Sequence, residues 1–377
     1  APATTQTLMV DVYVDYQGRA PLHDQAIYNV NSAQLCRLLS VNDYQTSFCQ
    51  NQYQHVVNNT SNVFKIENQN VLNGQSVGGM FGMYQNTGTE LVCFVSCGLK
   101  ALNGSPPNEN TVYELASVTK TFTGSILGKK VFNAQVNPLD EVRTSLPTTS
   151  WLGNTYSLNV HEQTVSFQQL ATFSGGVCYS DAPSVNINDP TLQKQADFVH
   201  DINLLNPTSP TCLGTGNNVS SIYGTDLPTR NFYSNSSFGL VGQALMSIDG
   251  YVNMDQPDFN GWTCEHVLTP LGMTRTNACL PSEALSNSCP DTGSHCDTSL
   301  WNTSEYATPY HLAGSNYVVG QPFPFVPWAP AGNLRSNAID MVKYIRANLG
   351  LTPSSAPEVV QLMGGMAIAH NRNNYLP

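Results

Sequence analysis

Apolar positions in the first third of the chain form two different patterns, one extended and one helical. Two extended apolar runs, Met80 to Tyr84 and Leu91 to Val95, flank a turn at Asn86-Thr87-Gly88, and this arrangement predicts a β-hairpin. Over residues 113–132 the spacing becomes helical, at Leu115, Val118, Phe122, Ile126 and Leu127. The sequence therefore predicts a hairpin followed by a helix that ends with Lys129-Lys130.

Two later segments also have helical spacing. Phe238, Val241 and Leu245 mark one apolar face, and Ile339, Val342, Ile345 and Leu349 mark another. For the second helix, Ser336 is the predicted N-cap and Gly350 the predicted stop.

The order of these elements predicts an α/β (α+β) fold in three parts. They are an N-terminal extension (1–62), an α/β part (63–130 and 330–377) and a mainly helical inserted domain (131–329).

Composition excludes several classes of partner. The 377 residues are 41% hydrophobic and 11% charged, with a formal net charge of -11. The chain has no basic patch of the kind that contacts a phosphate backbone, so we expect no nucleic-acid partner. The longest apolar runs, such as Leu91 to Phe94, are too short to cross a bilayer, so we expect no membrane span.

Ten cysteines predict five disulfides and an oxidising compartment. Spacing alone does not determine connectivity, but pairing of sequence neighbours would give Cys36–Cys49, Cys93–Cys97, Cys178–Cys212, Cys264–Cys279 and Cys289–Cys296. His295-Cys296 could also contribute ligands to a metal site. No CxxC pair or helical histidine pair supplies further ligands, so we expect no metal.

Glycosylation sequons accompany the cysteines, at Asn58, Asn59, Asn103, Asn218 and Asn302, and formally at Asn235. The chain begins Ala1-Pro2-Ala3, as a mature terminus does after signal-peptide removal. Together these features predict a secreted or lysosome-like glycoprotein.

Ser117-Val118-Thr119-Lys120 is the main candidate for chemistry. On a helix this spacing places the hydroxyl and the amine on one face. A serine hydroxyl is a weak nucleophile until a neighbouring base takes its proton, and an adjacent amine can do so. The tetrapeptide therefore predicts an acylation site.

A second motif, Tyr233-Ser234-Asn235, precedes the Phe238 helix. Ser-x-x-Lys followed by Tyr-x-Asn resembles the penicillin-recognising serine hydrolases, in particular the class C β-lactamase-like group with its D-peptidases, carboxypeptidases and esterases. Five segments follow that family's order across about residue 65 to residue 377: Glu114 to Gly124, Leu170 to Gly176, Phe232 to Leu240, Pro270 to Thr274 and Pro330 to Ser336.

The resemblance implies a β-lactamase/transpeptidase-like fold, with an antiparallel sheet flanked by helices and a mostly helical inserted domain. It implies that Ser117 forms an acyl-enzyme, that Lys120 and Tyr233 share acid and base work, and that Asn235 holds Lys120 and the substrate amide. The substrate would be an amide or ester, namely a β-lactam, a D-amino-acid peptide or a simple ester. No cofactor is needed. In the family's His-Thr-Ser-Gly segment, Phe173 or Thr172 replaces the histidine.

One departure concerns the third family motif, Lys-Thr-Gly or His-x-Gly, on a strand that supplies a second oxyanion donor. No such tripeptide follows Tyr233. The C-terminal strands are therefore expected on a second polypeptide of roughly 100 to 200 residues, produced by proteolytic processing. The alternative is a degenerate, inactive homologue that binds a ligand or partner.

Two further motifs are alternatives. Gly74-Gln75-Ser76-Val77-Gly78 fits the nucleophile elbow of α/β-hydrolases, which would make Ser76 the nucleophile of an esterase. Tyr84-Gln85-Asn86 repeats Tyr-x-Asn, but it adjoins the hairpin turn, so a structural role is expected.

Overall fold

A four-stranded antiparallel sheet lies beside a larger helical body in the computed structural model. The model describes residues 8–9, 36–39, 47–58, 77–86, 88–102, 104–146, 159–160, 163–175, 233–251, 256–278, 305–313, 316–320 and 328–370. Ser76 and the predicted glycosylation sites Asn59, Asn103, Asn218 and Asn302 lie outside these residues, whereas Asn58 is the last residue of a helix.

The described strands are β1 (Leu8–Met9), β2 (Cys36–Leu39), β3 (Gly78–Asn86), β4 (Glu90–Gly98), β5 (Tyr113–Glu114), β6 (Asn159–Val160), β7 (Gln163–Thr164), β8 (Tyr310–Ala313), β9 (Asn316–Val319) and β10 (Arg335–Ser336). The main sheet has the order β1-β3-β4-β2, so β3 and β4 form the predicted hairpin. Two strands from the first 62 residues flank this hairpin: β1 pairs with β3, and β2 pairs with β4.

The described α-helices are α1 (Ser47–Asn58), α2 (Thr119–Phe132), α3 (Phe167–Ala171), α4 (Asn235–Ile248), α5 (Gln256–Thr263), α6 (Ala329–Gly332), α7 (Ala338–Asn348) and α8 (Pro357–His370). A π-helical turn, Cys264–Leu268, extends α5. None of the described helices is long and apolar enough to span a membrane.

Side chains of the main sheet alternate between two helical layers, as the period of a strand requires. Phe81, Met83 and Val95 share a buried cluster with Val56 of α1. Tyr84 and Phe94 pack instead with Val342 and Ile345 of α7. The sheet is thus antiparallel and flanked by helices, and the predicted fold class is confirmed.

Two disulfides tie α1 and β2 to the hairpin, and they differ from the pairing of sequence neighbours. Cys36 bonds Cys97 and Cys49 bonds Cys93. The neighbour pairing is wrong because Cys93 and Cys97 lie four residues apart on one strand, about 13 Å along its axis, which exceeds the reach of a disulfide. Cys36, by contrast, lies directly opposite Cys97 on the adjacent strand.

Cys264 is also disulfide-bonded, and its partner lies outside the described residues. The predictions for Cys178, Cys212, Cys279, Cys289 and Cys296 fall outside them as well. The disulfides that are described indicate an oxidising, non-cytosolic compartment.

The helical body is built around α2, which packs against α4, α6 and α8 in the main hydrophobic core. Helices α2 and α8 approach closely because Gly128 faces Gly365: a Cβ added to Gly128 would lie 2.2 Å from the Gly365 carbonyl oxygen. Buried Phe122 of α2 stacks on Tyr344 of α7, with ring centroids 3.9 Å apart. The packing fixes α2 from several directions.

Two predicted helix starts are wrong by a few residues. Residues 113–114 form β5, because their backbone pairs with β10 rather than with the next helical turn. Helix α7 is capped by Asn337, whose side chain accepts from the Asp340 backbone N–H at 2.9 Å, whereas Ser336 belongs to β10. Gly350 follows α7 with a φ of +68°, as expected of a stop residue.

Candidate active site

Ser117 lies in a 3-10 turn, Ala116–Val118, that leads into α2. The segment before it is held next to β10: the Leu115 N–H donates to the Leu334 carbonyl, and the Arg335 side chain donates to the Glu114 carboxylate at 2.9 Å. Ala116 has a φ of +44°, an unfavourable conformation for a residue with a side chain. The turn leaves the Ser117 side chain exposed to solvent.

Lys120 lies one turn further along and is only 5% exposed. Its Nζ donates to Ser117 Oγ at 3.1 Å, to Asn235 Oδ1 at 2.7 Å and to the Ala331 carbonyl oxygen at 2.7 Å. All three acceptors are neutral oxygens. The amine is therefore directed at the serine by groups that bring no opposing charge.

Tyr233 and Asn235 reach the site from the start of α4. Ser234 is the N-cap of that helix, and its hydroxyl accepts from the Ser237 N–H at 3.1 Å. This places Tyr233 just before the helix and Asn235 in its first turn. The Tyr233 hydroxyl donates to Ser117 Oγ, and the Lys120 Nζ lies 4.8 Å from the centre of the Tyr233 ring. Tyr233 remains 39% exposed.

Sequence reasoning missed the role of the α6 turn. Trp328, at its start, donates from Nε1 to Ser236 Oγ at 3.1 Å, and the Pro330 carbonyl accepts from Thr123 Oγ1 at 2.7 Å. These bonds place the Ala331 carbonyl on Lys120. The family order of the segment Pro330 to Ser336 was the available signal, but a backbone carbonyl has no sequence signature of its own.

The structure thus brings together all four residues singled out by the sequence: Ser117, Lys120, Tyr233 and Asn235. A nucleophilic hydroxyl, exposed to an incoming molecule, lies within hydrogen-bond reach of an amine and a phenol. This arrangement can activate the serine and pass its proton onward. Among the described residues, no group of three or more His, Cys, Asp or Glu residues could hold a metal ion.

The second Tyr-x-Asn motif lies elsewhere. Tyr84 is buried in β3, and its hydroxyl donates to Glu90 at 3.0 Å near the hairpin turn. Burial, followed by the hydrogen bond to Glu90, raises the pKa of Tyr84. The residue packs between the sheet and α7, in agreement with the structural role expected for it.

Solved structures with this fold were found by comparison. A β-lactamase/D-alanine carboxypeptidase from Pseudomonas syringae has a TM-score of 0.53 and 17% identity, covering 80% of this chain and 67% of that one. A penicillin-binding protein homologue from Pyrococcus abyssi has a TM-score of 0.52 and 18% identity, covering 80% and 59%. At these identities the likeness concerns the fold.

Among curated proteins, a β-lactamase from Psychrobacter immobilis is 24% identical over 275 residues, which are 72% of this chain and 52% of that protein. A human β-lactamase-like protein is 24% identical over 251 residues, 66% of this chain and 41% of that protein. The chain spans about half the length of the curated relatives it matches.

The family model described as Beta-lactamase matches residues 72–375, from just before the hairpin to beyond α8. This range includes Ser117, Lys120, Tyr233 and Asn235 with every element that positions them. The chain belongs to the β-lactamase family.

Proposed function

We propose that the chain is a serine hydrolase that forms an acyl-enzyme on Ser117. The observation that carries this proposal is that Ser117 Oγ, exposed to solvent, accepts hydrogen bonds from both Lys120 Nζ and the Tyr233 hydroxyl. Two groups able to exchange protons thus meet at one accessible nucleophile.

The proton route starts from the neutral amine, because an ammonium that donates to three oxygens has no lone pair with which to accept a proton. With Lys120 in its neutral form, its Nζ accepts the Ser117 proton as Oγ bonds to the substrate carbonyl carbon. The Tyr233 hydroxyl then delivers a proton to the departing nitrogen or oxygen, and Lys120 replaces it. Water completes the cycle by releasing the acid and restoring the serine. General acid and base catalysis of this kind contributes about 10²- to 10⁴-fold to the rate.

Asn235 and Ala331 have orienting roles in this scheme. Their oxygens hold the Lys120 Nζ at 2.7 Å each, so the amine points at Ser117 before substrate arrives. Because the contacts exist before the reaction, little reorganisation is needed as it begins. The Asn235 amide would also face the substrate, which requires that its sequon remain unglycosylated.

The substrate class we propose is an amide or ester with an acyl group that Ser117 can accept: a β-lactam, a D-amino-acid peptide or a simple ester. Relatives described as β-lactamases or as a β-lactamase/D-alanine carboxypeptidase support this range. Fold likeness does not choose among its members.

The backbone N–H of Ser117 would supply one oxyanion donor, and a second donor is worth about 3 kcal/mol in the transition state. We infer that this second donor comes from a strand outside the 377 residues, as the family resemblance implies. A second polypeptide from processing would be one source. Mass spectrometry of the protein from its native source tests this directly: a co-purifying chain with a Lys-Thr-Gly or His-x-Gly motif supports a separate polypeptide.

Secretion or a lysosome-like location, with glycosylation at the predicted sequons, fits the disulfides and remains part of the proposal. Peptide-N-glycosidase treatment of the native protein should lower its mass if those sequons carry glycans.

Hydrolysis assays test the activity. Wild type, Ser117→Ala and Ser76→Ala are incubated with a chromogenic cephalosporin, a p-nitrophenyl ester and a D-alanyl-D-alanine peptide. We expect turnover of at least one substrate, a loss of about 10³-fold or more in Ser117→Ala, and wild-type rates in Ser76→Ala. Loss in Ser76→Ala alone would favour the α/β-hydrolase alternative. No turnover by folded wild type would favour an inactive binding protein.

A further inference from the structure

Phe173 occupies a backbone position that favours glycine. It follows α3 with a φ of +59°. Its N–H donates to the Leu170 carbonyl, and the Ser174 N–H donates to the Gln169 carbonyl at 2.8 Å. These two bonds form a Schellman motif, in which the residue at Phe173 adopts the left-handed conformation that glycine adopts without strain. The chain therefore carries a bulky side chain where the backbone disfavours one.

The ring of Phe173 makes contacts that glycine could not make. Its centroid lies 5.1 Å from that of Tyr233 and 5.4 Å from that of Phe238, with both ring pairs tilted. Such distances and angles are those of favourable aromatic pairs. Phe173 itself is half-buried against the main core, whose members include Phe238 of α4. The Phe173 ring thus contacts both the hydrophobic core and the Tyr233 ring of the proposed site.

The place of Tyr233 in the chain leaves the orientation of its side chain to tertiary contacts. Tyr233 precedes the N-cap Ser234, so helix α4 fixes the backbone after it but not its own side chain. The ring is 39% exposed, yet its hydroxyl must remain on Ser117 Oγ. A packed aromatic neighbour restricts the ring to fewer orientations than solvent would.

We propose that Phe173 is a positioning residue, whose ring holds the Tyr233 ring in the orientation that brings its hydroxyl to Ser117. The inference rests on the proposed function, because it assigns Phe173 a role in the same site. Phe173 would act through Tyr233 and would not contact the reacting atoms. Backbone strain that persists beside a reactive group is consistent with such a role.

The chain offers a matched control for the strain. Ala134 has a φ of +54° just after α2, at the end of that helix far from Ser117. Ala134→Gly relieves a comparable strain without altering the site. Phe173→Gly relieves the backbone strain and removes the ring. Phe173→Tyr keeps the backbone strain and an aromatic ring.

The kinetic test is the second-order rate of Ser117 labelling by a fluorophosphonate. We expect Phe173→Gly to slow labelling about 10- to 100-fold, because small displacements of reacting groups have effects of this size. Phe173→Tyr should stay within about 3-fold of wild type and Ala134→Gly should match it. In a Tyr233→Phe background, Phe173→Gly should add little, as coupled residues are not additive. A full additional loss in that background, or an unchanged rate in Phe173→Gly, would overturn the proposal.

A spectroscopic test separates this proposal from the function it rests on. The protein is labelled with 3-fluorotyrosine, and the Tyr233 ¹⁹F resonance is assigned by its absence in Tyr233→Phe. That resonance should shift or broaden in Phe173→Gly and stay in place in Ala134→Gly. If wild type is not labelled at Ser117, the hydrolase proposal fails, while the ¹⁹F spectrum still decides the contact. An unchanged resonance in Phe173→Gly would contradict the positioning role.

Discussion

The two ends of helix α2 present buried lysines with different partners. Near the N-terminal end, Lys120 is 5% exposed and donates to three neutral oxygens, those of Ser117, Asn235 and Ala331. Near the C-terminal end, Lys130 is 2% exposed and pairs with the carboxylate of Asp249 at 2.5 Å. The two amines are buried to a similar degree in one helix, so burial does not distinguish them.

The difference lies in what surrounds each amine. Asp249 caps α4 and also bonds His266 Nε2 at 2.9 Å and Trp262 Nε1 at 2.8 Å. This cluster, Lys130–Asp249–Trp262–His266, joins the C-terminal ends of α2 and α4. The proposed site joins the N-terminal ends of the same two helices. The Lys130 amine forms an ion pair with a carboxylate and ties two helices together, whereas the three acceptors described for the Lys120 amine are neutral oxygens and one of them belongs to a serine.

A search for a lysine with a lowered pKa would have selected the C-terminal end of α2, which is not where Ser117 lies. Burial, aided by the charge of Lys130, lowers the pKa of Lys129, whose Nζ donates to the His266 carbonyl at 3.5 Å. Lys129 lies at the opposite end of α2 from Ser117. The candidate site is located by the Ser117 hydroxyl beside Lys120, and not by the lowered pKa of Lys129.

The largest expected effect comes from exchanging each lysine for methionine. Lys120→Met should slow fluorophosphonate labelling about 10³-fold, because it removes the proposed base beside Ser117. Lys130→Met should lower the free energy of unfolding by about 3 kcal/mol, since it removes the lysine cation from the Asp249 carboxylate, and should label at a rate close to wild type while folded. Equal losses of labelling in both folded variants would break the distinction between the two ends.

A smaller effect concerns the acid stability of the Lys130–Asp249–Trp262–His266 cluster. Burial alone would raise the pKa of Asp249, but hydrogen bonds from His266 and Lys130, and their charges, outweigh it and lower that pKa from 3.8 to about 2. The stabilisation is therefore present above pH 4 and is lost as the pH falls toward 2. It amounts to about 2 kcal/mol.

Asp249→Asn tests this contribution. Urea unfolding measured between pH 7 and pH 2 should show a shallower loss of stability in Asp249→Asn than in wild type, from a lower starting value. Identical slopes in the two proteins would show that Asp249 does not carry the acid sensitivity.

Two helical glycines give a third contrast. A Cβ on Gly242 of α4 would lie 2.2 Å from the Pro330 side chain, so Gly242→Ala should displace the α6 turn and its Ala331 carbonyl. We expect a loss of about 1 to 3 kcal/mol in stability and slower labelling. Among the described residues, a Cβ on Gly124 of α2 would meet only Phe238, at 4.0 Å. Gly124→Ala should therefore gain up to about 1 kcal/mol from helix propensity, with labelling unchanged.

Thermal unfolding and labelling rates measured on both alanine variants check this pair. Wild-type labelling in Gly242→Ala would mean that the Ala331 carbonyl does not position Lys120. A large loss in Gly124→Ala would mean that alanine in either helix disturbs the site, and the contrast would fail.

Local patterns predicted the local features well. The two extended apolar runs around Asn86-Thr87-Gly88 predicted the hairpin, and the helical stripe from Val118 onward predicted most of α2. Ser-x-x-Lys and Tyr-x-Asn identified four side chains that the fold brings together, because a family motif constrains residue type at fixed spacing.

Features that depend on distant pairing were not predictable in the same way. The strand pairing of Glu114 with Arg335 and the disulfide between Cys36 and Cys97 join residues far apart in the sequence. The Ala331 carbonyl is a group that every residue possesses. Phe173 resembles an ordinary apolar residue until its backbone conformation and its ring contacts are seen.

The most direct measurement locates the nucleophile. The chain is incubated with a fluorophosphonate, digested, and its modified peptide is sequenced by mass spectrometry. We predict a single stoichiometric adduct on Ser117 that is absent from Ser117→Ala and retained in Ser76→Ala. An adduct on Ser76, or an unmodified Ser117 in folded protein, would contradict the assignment of this end of α2 as the site of acylation.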